Sequence, residues 1–189
     1  MEQMKDNRVD VDAIESTVHL HWSGLADLDL MALVCQGNAE YHLISFANEG
    51  SSEHSPFVEL VSDITFEVMP TSNQEIVRVH AEKIESTNHV WFFCWDFRHV
   101  EAQSDAPFSE YEVSLELRQP NRFIRTSTIE SDSGTGNTIC LARWDMNPTA
   151  DEDQSVLVEV NRSFNIPLME GMSEVCKHLI DWTAEHQNV

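Results

Sequence analysis

The sequence predicts an all-β fold, a two-sheet antiparallel β-sandwich of about ten strands followed by a C-terminal amphipathic helix. Short segments rich in β-branched and aromatic residues recur along the chain, separated by turn-forming stretches. Apolar and polar residues alternate with period two in several of them, as a strand with one buried and one wet face requires. No helical pattern fills the intervals, so the crossovers that parallel strands need have no room.

In chain order, the predicted strands begin with Thr17 to Trp22 and Leu28 to Cys35. Gln36-Gly37-Asn38 then turns the chain into Tyr41 to Phe46, a hairpin with a glycine in its loop. Phe57 to Val61, Ile76 to His80 and Val90 to Phe97 follow, then Tyr111 to Leu117, Phe123 to Ile129, Thr138 to Trp144 and Val156 to Phe164. Val113, Leu115 and Leu117 alternate with Ser114 and Glu116. Val90-Trp91-Phe92-Phe93-Cys94-Trp95 is apolar on both faces, which places it in the middle of a sheet. Asp132 to Asn137 lacks the lysine and following helix of a phosphate loop and reads as a turn; Asp151-Glu152-Asp153 reads as a hairpin tip. After Pro167 and Gly171, Ser173 is positioned to cap a helix, and Val175, Leu179 and Trp182 recur at helical spacing. The expected organisation is an N-terminal extension over 1–16, a sandwich over 17–166 and a helix over 167–189 packed upon it.

The 189 residues carry 33 Asp and Glu against 11 Lys and Arg, a formal net charge of -22. Such a chain repels phosphate backbones and anionic lipid, so nucleic acid is not an expected partner; the charge serves solubility or, on a sharper reading, attracts cations or a basic protein partner. No stretch is long and apolar enough for a membrane span, and residues 1–16 do not read as a targeting signal. Cys35, Cys94, Cys140 and Cys176 stand far apart with no Cys-x-x-Cys pair. They read as buried thiols in a reducing cytoplasm rather than a disulfide framework or a zinc site, and none has a neighbourhood that would stabilise a thiolate.

Few residues point to chemistry. His19 and His21 share one face of a strand, as two metal ligands would, but lack a third ligand nearby in sequence and read as exposed surface histidines. Asp27 and Asp29 flank Leu28 at the mouth of an apolar strand, so alternation puts both carboxylates on one side. Two such carboxylates repel unless a cation lies between them, and calcium, which takes six to eight oxygens, suits that position. Exposure at a strand end, screened by water and salt, is the reading that asks least of the local residues. A hydrolase built on paired carboxylates would need an aromatic-lined cleft, for which Trp91, Trp95 and Trp144 are the candidates.

The same residues carry a family likeness. Trp22 to Val34, with Asp27-Leu28-Asp29 and the apolar strand behind it, resembles the opening of the TerD family of tellurium-resistance and stress-response proteins. His42 to Asn48 is similar to the family's strand ending in an aromatic residue and Asn, and Asp63 falls where the family has the Asp of an Asp-Asn pair. Glu75 matches the acidic residue leading into the next strand, Val90 to Trp95 its central hydrophobic strand, and Phe108 to Leu117 its Phe-Gly segment and following strand. The likeness spans Thr17 to Phe164. It implies a β-sandwich that binds calcium and has no established enzymatic activity, with Asp27, Asp29, Asp63 and Glu75 as candidate ligands. Where members carry a Gly-Asp-rich loop this chain has Pro70-Thr71-Ser72-Asn73-Gln74, and each lost carboxylate lowers affinity. The expected function is binding or scaffolding with one weak calcium site or none. The alternative is a metal-independent subunit that docks a basic partner through its acidic face and the Met169 to Trp182 helix.

Overall fold

The computed structural model describes residues 2–3, 7–62, 73–85, 88–126, 129, 134–146 and 154–187. Among the described residues twelve strands form: β1 (Glu2–Gln3), β2 (Arg8–Asp12), β3 (Glu15–Trp22), β4 (Leu28–Cys35), β5 (Tyr41–Ile44), β6 (Val58–Ser62), β7 (Asn73–His80), β8 (His89–Asp96), β9 (Ser114–Gln119), β10 (Arg122–Arg125), β11 (Thr138–Asp145) and β12 (Gln154–Phe164). They are joined by helices α1 (Phe97–Ala102) and α2 (Met172–Glu185). The strands divide into two six-stranded sheets, ordered β1-β10-β9-β3-β7-β6 and β2-β12-β11-β8-β4-β5. All pairings are antiparallel except that of β1 with β10. The two-sheet sandwich is the predicted one.

Alternation sorts each strand's side chains between layers. Val18 and Leu20 of β3, Val77 and Val79 of β7, and Leu115 and Leu117 of β9 face Leu28, Leu30, Phe92 and Cys94 of the second sheet in one buried layer. The opposite face of the second sheet, with Met31, Leu33, Trp91, Phe93 and Trp95, is covered by Val175 and Leu179 of α2. Trp182 meets Trp91 and Phe93 edge-on, with ring centroids 6.0 and 5.8 Å apart. The second sheet is therefore buried on both faces, which is why β8 is apolar without alternation. Among the described residues no helix is long and apolar enough to cross a membrane.

Five local features depart from the expected elements. Arg8–Asp12, expected in an extension, is a strand paired with β12, and Val11 lies in the core. Trp144 Nε1 donates to Ser155 Oγ (2.6 Å), whose hydroxyl donates to the Val11 carbonyl (3.1 Å), so a buried polar bridge ties three strands together. The strand expected from Tyr111 begins at Ser114 because Glu112, at φ 52°, breaks the extended backbone. The strand expected to run through Phe97 stops at Asp96, whose side chain caps α1 by accepting from the His99 amide. Helix α2 starts from Gly171 with no side-chain cap, so Ser173 lies inside it. The hairpin after β4 forms, but its left-handed residue is Ala39 (φ 62°) rather than Gly37. Residues 151–153 lie outside the described residues.

Gly136 explains part of the turn before β11. A Cβ there would come within 2.2 Å of the Phe164 carbonyl oxygen, so only glycine allows this close passage. The next residue, Asn137, is buried, and its side chain donates to the Ile166 carbonyl and accepts from the Ile166 amide, locking the turn to the exit of β12. Over 134–137 the chain thus turns into β11, while residues 132 and 133 lie outside the described residues.

Candidate functional site

Three of the four acidic residues singled out in the sequence lie among the described residues, and the fold does not gather them. Asp27 is exposed in the loop entering β4. Asp29, paired with Trp95 across β4 and β8, shares its face with Met31 and Leu33, and accepts the Trp95 indole N–H (2.6 Å). Glu75 rises from the inner face of the other sheet, in phase with Val77 and Val79, and is 5 % exposed. Its carboxylate accepts the Leu30 backbone N–H, which β5 is too short to reach. Asp29 and Glu75 therefore project to opposite sides of the second sheet. Asp63 lies outside the described residues. Among the described residues no group of three or more His, Cys, Asp or Glu side chains is arranged to hold a metal ion. As an oxygen cage for calcium, the described members of the set do not fit.

What the region does concentrate is negative charge. Burial holds the Cys94 thiol far above its usual range, and Glu75, Asp29 and Asp96 hold it up further. Asp96 is itself buried, with its second oxygen 2.9 Å from His99 Nδ1. The Tyr111 hydroxyl is raised by burial and by the same Asp96 carboxylate. Outside this acidic end, three aromatic rings form a chain: Trp95 lies 6.4 Å from Phe46 and 5.7 Å from Phe97, centroid to centroid. Phe46 and Phe97 are 47 % and 42 % exposed while Trp95 is buried beneath them. An aromatic surface beside carboxylates can attract a cation in two ways, by charge and by ring quadrupole.

Two constellations were not legible in the sequence. The first surrounds His19, which is 5 % exposed and so is not a surface histidine. Strand pairing sets Glu116 of β9 opposite it, and supplies the nearby acidic side chain that the local sequence lacks. His21 Nε2 stands 3.9 Å from Glu116 Oε1, and the His19 and His21 rings stack at 5.9 Å. Burial, then the Arg118 cation, then His21 push His19 down to about 4, and burial also lowers His21. Arg118, bonded to Glu116, and Arg125 hold the imidazoles down while Glu116 acts the other way. The balance is a cluster of neutral histidines.

The second is a row across three strands of the second sheet. Register aligns Cys35 with His89 and His89 with Asp145. His89 Nδ1 lies 2.9 Å from Asp145 Oδ1, and Cys35 and His89 share a cavity of about 180 Å³ with Tyr41, Trp91 and Arg143. The arrangement echoes a nucleophile, base and orienting carboxylate, but burial, with a further contribution from Cys176, pushes the Cys35 thiol up to about 12. A thiol held that high is protonated at neutral pH and is not a poised nucleophile. Arg143 binds Asp145 through two nitrogens (2.6 and 2.9 Å) and lies over Trp91, its guanidinium carbon 5.0 Å from the ring centroid, which makes the row a structural lock. All four cysteines are free.

Trp91 and Trp95 lie on the outer face of the second sheet and Trp144 on the inner, all buried, so they do not line one cleft. No protein-family model matches the chain, and no curated protein matches it.

Proposed function

We propose that this chain is a non-catalytic binding or scaffold module that docks a basic protein partner through its acidic surface. The observation that carries the reading is where the few cations go. Arg78 pairs with Glu59 (2.5 Å) and Glu15 (3.6 Å), Arg118 with Glu116, and Arg143 with Asp145. Arg122 donates to the Asp10 carbonyl and Lys83 to the Ser52 carbonyl. With 11 cations against 33 carboxylates and these cations engaged within the chain, the excess charge is left to face solvent. Potentials of one sign steer partners of the other and repel nucleic acid.

The residue order that resembles the TerD family supports a stress-response setting for such a module, and the resemblance alone carries the calcium clause. With Asp27 exposed in its loop and Asp29 engaged by the Trp95 indole, the described geometry favours the metal-free form of the module. Capture of partners from native lysate across a salt series tests the reading. The expected result is a partner with a basic surface that is retained at low salt and released as salt rises. Retention of no partner, or retention indifferent to salt, counts against it.

A further inference from the structure

We propose that Phe46 and Phe97, with Trp95 between them and Asp29 behind, form the docking point for an arginine side chain of the basic partner; this inference rests on the function proposed above. The two outer rings are each nearly half exposed, and both lean on Trp95, so three aromatic side chains form one continuous patch. Independent elements place them. Phe46 follows β5 in a turn closed by reciprocal backbone bonds between Ser45 and Asn48 (2.9 Å each), and Phe97 opens α1, whose first turn is fixed by Asp96. Both are held on backbone that the fold has already ordered, so binding loses little freedom at this site.

Charge selects the occupant. Asp29 sits on the same sheet face as Trp95 and binds its indole, Asp27 is exposed two residues earlier, and the chain as a whole carries -22. An apolar partner segment would bury the rings while gaining nothing from these carboxylates, whereas a cation gains from both. A guanidinium is planar, weakly hydrated and stacks on aromatic faces, which fits a pair of exposed rings better than a compact, strongly hydrated ammonium does.

The probe is a short arginine-containing peptide titrated into the full chain and followed by NMR at the Trp95 indole N–H, against its neutral citrulline counterpart. The arginine peptide should move that resonance and the citrulline peptide should not. Phe97→Leu and Phe46→Leu, which keep apolar area and lose the ring, should each weaken binding about 5- to 30-fold. Asp29→Asn should weaken it too. Equal binding of the citrulline peptide overturns the cationic occupant. Arginine binding that ignores both phenylalanine substitutions places the contact elsewhere and overturns this inference alone, because a salt-sensitive partner in lysate would still uphold the broader reading. Absence of any arginine-peptide binding to the parent chain also overturns it.

Discussion

Acidification should expose the cost of burying His19. The ring is 5 % exposed, its Nε2 is within 2.9 Å of Thr17 Oγ1, and Arg118, His21, Glu116 and Gln74 face it from its own strand and both neighbouring strands. Burial first, then Arg118 and His21, hold it down to about 4 from an ordinary 6.5, against Gln74 and Glu116, which act to raise it. Between those values the unfolded chain binds a proton that the folded chain refuses, so stability rises with pH across this window and is lost as pH falls through it. The gap corresponds to about 2 kcal/mol lost by pH 5 and about 3 kcal/mol by pH 4, on the scale of 1.36 kcal/mol per tenfold change in acidity. His19→Gln removes the titration and keeps a polar side chain in the same place. Urea unfolding followed by tryptophan fluorescence at pH 7, 6 and 5 measures the difference. The parent should lose about 2 kcal/mol more than the variant between pH 7 and pH 5. Parallel losses in the two proteins would refute the reasoning and mean that His19 charges freely in the folded state.

Ser155→Ala should cost about 1 to 3 kcal/mol in denaturant unfolding, because it strands the buried Trp144 indole N–H and the Val11 carbonyl together. Gly136→Ala should destabilise by more than the few tenths of a surface change, since its Cβ would need to displace the Phe164 backbone; an unchanged melting temperature would deny that close approach. Calcium at 1 mM should raise the melting temperature no more than magnesium at equal ionic strength, whereas a site one hundredfold below that concentration would add about 2.7 kcal/mol. In native protein at neutral pH, Cys94 and Cys140 should resist iodoacetamide and Cys35 should react slowly, as mass spectrometry of the labelled chain would show.

The fold was readable because its signals are local. Leu28 to Cys35 was delimited correctly by its own apolar pattern, and the run from Val90 to Trp95 announced a strand covered on both sides. The errors fall where neighbours decide. Arg8–Asp12 contributes Val11 to the core but is too short to stand out, and its place comes from pairing with β12. Asp96 ends β8 because it can cap, a competition that apolar periodicity does not record. The candidate site was less readable for the same reason. Alternation correctly set Asp29 against Leu28 and Leu30, yet only the packing of two sheets shows that Glu75 answers the Leu30 amide from the other side. Glu116 opposite His19, and Asp145 beside His89, are separated from their partners by tens of residues and meet only through register.

The dissociation constant of the chain with its captured partner, measured as salt is raised from about 50 to 300 mM, tests the central claim most directly. Docking through the acidic surface predicts affinity that falls steeply over that range, with slower association carrying most of the change. A constant that does not move with salt would contradict it.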